Sequence, residues 1–414
     1  MEAHGGKEMS MNNGKDIKAR AEALKDWTAK NLSDIIKVPA MSNKEKERIL
    51  FLKDMCEKVG FDEVRIDGLG NLLARVGNGP KILAIDAHID TVGIGDRSQW
   101  KKDPFSGDIE NGFVHGRGTS DQTGGAASMI SAGRILKEMG YKGQYSVWFV
   151  FSIIEEDCDG ICWKYLIEEE GFKPDFFVST EPTSLRLYRG HRGRMEMEVR
   201  IKGVSCHGSA PERGVSAAYK AARAALAIEA LNDALKPDDD KFLGKGTVVV
   251  SQINVHGPSQ CAVPDEAMLY LDRRLTWGET AEIAIKQVKD AILASGVDAV
   301  EVSMPEYAIP SWTGKDYRQE LYFPTWKFPA DHPFVKAGVA AHEAAFSMAP
   351  VVDKWTFSTN AVAVAGRHGI PSIGFGPGDE NQAHAPNEIT RVDDLWKAAA
   401  FYAALPYAMD EAGL

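Results

Sequence analysis

Strand-like and helix-like runs alternate along the first half of the chain in an order that few folds accommodate. The apolar run ILAIDAHIDTV at 82–92 reads as a strand, and a long polar excursion containing DPFSGDIENGFVHGRG follows it. A Gly-flanked helical stretch from Gly124 to Met139 then leads into a second strand, YSVWFVFSII at 145–154, and DFFVST at 175–180 adds a third. Strand, loop, helix, strand is the order of a doubly wound sheet with helices packed on it. Ahead of this unit, AEALKDWTAKNLSDIIKV and KEKERILFLKDMCEKVG space their apolar residues three and four apart, which predicts helices that serve the fold.

From Met195 the texture changes. MEMEVRIKG, a helix from about Val215 to Ala234, TVVVSQINV, AMLYLDRRL, a helix around 279–295 and VDAVEVSMP give strand, helix, two strands, helix, strand. That is the split βαβ pattern of a small α+β domain, and it reads as an insertion. After residue 310 come an aromatic, Pro-containing stretch, a helix near 333–347, the strand-then-glycine run IPSIGFGPG at 370–378, and a last helix at about Val392–Leu405 that ends ahead of Pro406. The expected organisation is a first domain begun at 1–188, an inserted domain at 189–310, and a segment at 311–414 that returns to the first domain and completes its sheet.

The 414 residues suffice for one large or two modest domains, and 44% hydrophobic content supports a substantial core. With 48 basic against 59 acidic residues the formal net charge is −11, which argues against a broad surface for nucleic acid. YRGHRGRMEM is a short positive cluster that can serve an anionic substrate instead. Five cysteines form neither a CxxC pair nor a dense framework. The amino terminus has no apolar h-region, and no apolar run approaches the roughly 18 residues of a membrane span. These features predict a cytoplasmic protein that neither spans nor binds membranes. Neither GxGxxG nor GxxxxGK[ST] is present, so nucleotide fingerprints lend no support.

Metal-type residues gather where the strands end. His88 and Asp90 are two apart at a strand end, so both point to one face and Asp90 can hold one ring nitrogen of His88 while the other binds a metal. Asp121 lies in GRGTSDQTGG, Glu155 and Glu156 end the next strand, Glu181 follows the third in STEPT, and His384 lies in the loop GPGDENQAHAPNE. Adjacent carboxylates diverge, so one of Glu155 and Glu156 can bind metal while the other handles a proton. Each residue also has a structural reading, such as a helix cap for Asp121 or a satisfied strand-end histidine for His88. Their common placement beyond the carboxyl ends of parallel strands favours a ligand site. Two histidines and several carboxylates without cysteine suit a two-metal hydrolytic centre holding zinc, manganese or cobalt.

The runs DAHIDTV (86–92), GRGTSDQTGG (116–125), IIEED (153–157), STEPT (179–183), GVSCHGSAPERG (203–214) and HAPNE (384–388) together resemble the M20 metallopeptidase family, which includes acetylornithine deacetylase, succinyl-diaminopimelate desuccinylase and glutamate-releasing carboxypeptidases. EEDCDG and the long GPGDENQAHAPNE loop are similar to the selenium-metabolism-linked hydrolase branch. The resemblance implies a mixed-sheet α/β metallohydrolase domain carrying an inserted ferredoxin-like lid and dimerisation domain. It also implies two divalent ions, zinc first, with cobalt or manganese as alternatives. Asp121 would bridge them, with His88 and Glu181 completing one site and Glu156 and His384 the other. Glu155 would be the general base and Asp90 would orient His88. A Glu at 181 is more like deacylases and carboxypeptidases than aminopeptidases.

His207, in the inserted domain, is otherwise a loop histidine; the resemblance implies that it reaches an active site, often that of a partner subunit, which implies a homodimer. Asp272 and Arg274 match the family's DxR pattern. Arg274 can meet a substrate carboxylate with its fork of donors, or form a structural ion pair with Asp272. The chain departs from the pattern at Cys261 in QCAVPDE and at Asn360 in STNAVA, which places Asn360 among the candidate substrate contacts. Cys261 reads as a small apolar residue, with no adjacent base to activate its thiol. The expected activity is hydrolysis of an amide in a small N-acyl amino acid or related metabolite. The alternatives are a metallodipeptidase or carboxypeptidase, an N-carbamoyl amino acid hydrolase, or a catalytically inactive dimeric interaction protein.

Overall fold

The computed structural model describes residues 2–298 and 300–414. Met1 and Ala299, which fall in the first expected domain and in the VDAVEVSMP strand, lie outside the described residues. Among the described residues thirteen strands carry the two main sheets, the short Tyr322–Phe323 beside Gly193–Lys202 and twelve others: β1 (Glu63–Ile66), β2 (Leu72–Val76), β3 (Lys81–His88), β4 (Tyr145–Ser152), β5 (Phe176–Ser179), β6 (Leu187–Tyr188), β7 (Gly193–Lys202), β8 (Thr247–His256), β9 (Glu266–Leu275), β10 (Val300–Ser303), β11 (Val352–Asp353) and β12 (Ser372–Gly374). The helices are α1 (Glu2–Ala23), α2 (Lys25–Ile36), α3 (Lys46–Val59), α4 (Gly124–Met139), α5 (Ile161–Glu168), α6 (Ala217–Ala234), α7 (Ala281–Ala294), α8 (Pro333–Phe346) and α9 (Val392–Ala412).

The larger sheet is mixed, in the order β1-β2-β4-β3-β5-β12-β6-β11. Its centre, β4-β3-β5-β12, is parallel, whereas β1 and β2 run antiparallel at one side. Every residue of β4 is buried, as a near-continuous apolar strand covered on both faces must be. Because β3, β4, β5 and β12 run together, His88, Ser152, Ser179 and Gly374 end their strands along one sheet edge. The loops leaving that edge carry the candidate ligands.

In the second sheet, β8-β9-β7-β10, neighbours are antiparallel and burial alternates along β7 and β9. Met195, Met197, Val199 and Ile201 face inward with Leu269, Leu271 and Leu275, and α6 and α7 close over them. This core is separate from the one beneath the larger sheet. The fold class is therefore a mixed α/β sheet with a second, α+β unit.

Two boundaries differ from the sequence expectation. The first helical run breaks at Leu24 into α1 and α2. The last helix continues through Pro406 to Ala412. Proline removes one backbone hydrogen bond, but Ala403, Ala404, Leu405, Ala408 and Met409 are buried in the main core on both sides of it, with α1, α4 and α8 packed on the helix, and this burial outweighs the loss. Among the described residues, no helix is long and apolar enough to cross a membrane.

Candidate metal centre

His88 is fully buried at the end of β3. Its Nδ1 lies 3.0 Å from the backbone oxygen of Asp90, which can only accept, so Nδ1 carries the proton and Nε2 offers its lone pair. Around Nε2 stand Asp121 Oδ1 at 3.0 Å, Glu181 Oε1 at 3.6 Å and Glu155 Oε2 at 3.7 Å. His384 arrives from the loop after β12, with Nε2 2.9 Å from Glu156 Oε2 and 3.4 Å from Asp121 Oδ2. Asp121 thus stands between two histidines that are 296 positions apart in the chain, at 88 and 384.

The Asp90 carboxylate is 3.5 Å from His88 Nδ1, farther than its own backbone oxygen. It accepts instead from Ser42 Oγ at 2.7 Å and from the backbone N–H groups of Glu155 and Glu156, each at 3.2 Å. Below it, buried Glu45 accepts from the N–H groups of Asn43 and Ile154. Burial, with Asp90 nearby, pushes the Glu45 carboxyl up to about 8. Arg48, also buried, donates to the carbonyls of Val38 and Ile89, so α3 and the loop before it brace the end of β3.

The charge balance suits cations. Burial, then repulsion among Glu181, Asp159 and Glu156, holds the Glu155 carboxyl well above its usual range. Burial and Asp121 do the same to Glu181, and more weakly to Glu156. Burial opposes charge on His88, yet Glu155 and Asp121 outweigh it and hold the imidazole well above its usual range. Glu181 Oε2 is buried with no hydrogen-bond partner. His88, Asp121 and Glu156 bring ligand atoms within 4.8 Å of one another, and so do His88, Glu155 and Glu181. An oxygen-rich, over-negative cluster of buried carboxylates with one buried imidazole, His88, and one exposed, His384, fits divalent ions of the zinc, cobalt or manganese kind.

A cavity of about 200 Å³ opens above the cluster. Asp121, Glu155, Glu156, Glu181 and His384 form one wall; Arg194 and Arg274, direct cross-strand partners on β7 and β9, form the other. Arg274 faces the cavity and makes the expected ion pair with Asp272, Nε at 2.8 Å and Nη2 at 3.0 Å from its two oxygens, which leaves Nη1 as the group that could meet a substrate carboxylate. Of the basic cluster YRGHRGRMEM, Arg194 reaches the cavity, but its fork is engaged by Asp159 and Glu196. Asn360 lies beneath the cavity. Its Nδ2 donates to Asp86 and Ser152 and its oxygen accepts from Gly160 N, so it ties strand ends together and does not line the substrate space. His207 is exposed on the second unit and contacts Ser209 and Ala262; within one chain it is not brought to the cluster.

Sequence reasoning missed Asp159 and Ser358 as cavity residues. Asp159 was within sight in EEDCDG, four residues after Glu155. Ser358, which bonds to Asp159, carried no signal because its partner is 199 residues away.

Residues 84–408 match the model of peptidase family M20/M25/M40. The uncharacterised protein YgeY of Escherichia coli (strain K12) is 51% identical over 388 residues, 93% of this chain and 96% of that protein. Acetylornithine deacetylase of Vibrio atlanticus (strain LGP32) is 27% identical over 350 residues, 83% of this chain and 85% of that one. Among solved structures, aminopeptidase PepT from Bacillus cereus ATCC 10987 superposes with a TM-score of 0.71 at 21% identity, covering 94% of this chain and 99% of that chain, a likeness of fold.

Proposed function

Because the chain belongs to peptidase family M20/M25/M40 and is a metal-dependent hydrolase, we propose that it cleaves the amide bond of a small N-acyl amino acid or related metabolite. The observation that carries this reading is the buried cluster of His88, Asp121, Glu155, Glu156 and Glu181 opening into a cavity of about 200 Å³ that also holds Arg274. His88, Asp121 and Glu181 would hold one divalent ion, and Asp121, Glu156 and His384 a second, zinc first with cobalt or manganese as alternatives. Such ions supply Lewis-acid polarisation of a carbonyl and a lowered pKa for water.

The protein's own groups do the rest. Glu155, raised in pKa and directed at the cluster, takes the proton of the attacking water on its carboxylate and returns it to the leaving amine. Asp90 holds the turn that presents Glu155. Arg274 meets a substrate carboxylate, and His207 steadies the oxyanion from the second unit of a partner chain. The dimer this requires draws support from β8, an outer strand whose Val249, Ile253 and Val255 are exposed beside Tyr219 and Leu226 of α6. None of the five cysteines is disulfide-bonded, which suits the cytoplasm. EEDCDG and the GPGDENQAHAPNE loop favour the selenium-metabolism-linked branch.

The likeness to acetylornithine deacetylase favours blocked amino acids; a metallodipeptidase or carboxypeptidase is the second reading. Turnover of the zinc-, manganese- and cobalt-loaded chain on N-acetyl, N-succinyl and N-carbamoyl amino acids beside free dipeptides, read as released amine, decides. Preference for blocked substrates is the expected result. Preference for dipeptides transfers the chain to the peptidase reading; metal binding without turnover on any of them means a substrate outside the panel or a non-catalytic role, and the interaction-protein alternative itself predicts weak metal binding and no turnover.

A further inference from the structure

Glu388 follows His384 by four residues in the same loop and is fully buried, but it lies outside the cavity wall. Its carboxylate turns inward and meets four donors from one short segment. Oε1 accepts from Ser120 N at 2.7 Å and Asp121 N at 3.0 Å; Oε2 accepts from Gly118 N and Arg117 Nη1, both at 2.8 Å. The seam continues on both sides. Gly116 N donates to the Glu388 carbonyl, Arg117 Nη2 reaches the carbonyl of His384 at 3.3 Å, and Ser120 Oγ exchanges hydrogen bonds with the backbone of Asp379. One buried anion therefore sews the loop that carries Asp121 to the loop that carries His384.

The two halves of the centre depend on this seam unequally. His88, Glu155 and Glu181 are set by β3, β5 and the Asp90 contacts, none of which involves Glu388. His384 and the face of Asp121 turned toward it, 3.4 Å away, depend on the loop contacts just described. Only an ionised carboxylate satisfies all four donors, since an amide of the same shape has one oxygen and would turn its own N–H groups on two of them.

Resting on the dinuclear reading above, we propose that Glu388 is a positioning residue that fixes Asp121 between His88 and His384, and that this placement lets the centre retain a second ion on the His384 side. The first ion, on the His88 side, is held largely without it.

Cobalt(II) titration of the metal-depleted full chain, followed by visible ligand-field absorption and by metal per chain, tests this on the wild type, Glu388→Gln and Glu388→Asp, with far-UV circular dichroism on each. The wild type should take two equivalents. Glu388→Gln should keep the first step and weaken the second about 10- to 100-fold, the usual effect of removing an outer-sphere partner, with altered bands for that step. Glu388→Asp should recover part of the second step. A folded Glu388→Gln that binds both ions as the wild type does, or weakens both steps equally, overturns the proposal. If Glu388→Gln loses its dichroism, Arg117→Lys decides: a weakened second step supports the seam, and unchanged binding overturns it. A wild type that binds fewer than two ions overturns the dinuclear reading itself, and this proposal with it.

Discussion

Asp90 holds Glu155 by its backbone: the carboxylate of one accepts the N–H of the other at 3.2 Å, while its second oxygen takes the N–H of Glu156 and the hydroxyl of Ser42. A residue expected to orient His88 also sets the turn from which two neighbouring carboxylates diverge. Asp90→Asn keeps the shape but replaces one acceptor with a donor facing N–H or O–H groups. Activity should fall about 10- to 100-fold with folding retained, read as kcat of the metal-loaded enzyme beside its melting temperature. Wild-type kcat in the variant would show that the turn needs no such anchor.

Glu155 stands 3.7 Å from His88 Nε2, close enough to serve the cluster, yet Glu156 and His384 are the pair in direct contact at 2.9 Å. Removing the Glu155 carboxylate should spare metal retention and remove proton transfer. Glu155→Ala is expected to keep the wild-type metal content while turnover drops by about 10²–10⁴-fold, the range for a general base. Near-normal turnover in a metal-loaded variant would sink the assignment of Glu155 as the base.

A centre with buried carboxylates in excess of its cations should be stabilised by the ions it holds. Chelation should lower the melting temperature, and added zinc should restore it; free ion at one hundred times its Kd contributes about 2.7 kcal/mol. Scanning calorimetry with and without chelator checks this, and Glu181→Gln, which neutralises the carboxylate whose Oε2 lacks a partner, should narrow the gap. Identical melting with and without chelator would mean that the cluster holds no ion under those conditions.

The parallel centre of the main sheet was legible because β3, β4 and β5 are apolar runs closed by polar loops, and strand direction then placed His88, Glu155 and Glu181 at one edge. The second unit was legible from alternation, as in Met195, Met197, Val199 and Ile201. Pro406 was misleading because local chemistry stops a helix there, whereas the packing that carries α9 onward comes from helices distant in sequence. Asn360 was misread for a similar reason: four partners between 86 and 162 take up its amide, and no local pattern reveals them. Glu388 was visible only as the last letter of HAPNE, since its donors lie 267 to 271 residues away.

His191 offers a pH dependence outside the metal cluster. It is fully buried, with the rings of Trp326 and Trp355 centred 5.3 and 6.0 Å away. Its Nδ1–H donates to the carbonyl of Arg192 at 2.8 Å and its Nε2 accepts the N–H of Thr359 at 3.2 Å, which fixes the neutral tautomer. A second proton on Nε2 would give up the hydrogen bond from Thr359 N–H and leave only the Thr359 hydroxyl, 3.2 Å away, to accept it. Burial pushes its pKa down to about 4 from the usual 6.5. Between those values the unfolded chain binds a proton that the folded chain does not, so stability present above pH 6.5 is lost as pH falls toward 4, by about 3 kcal/mol. Urea unfolding at several pH values should show that loss in the wild type and a correspondingly flatter profile in His191→Phe, which is expected to be less stable at neutral pH because the Arg192 carbonyl loses its donor. Parallel profiles for the two proteins would mean that His191 does not carry this part of the acid sensitivity.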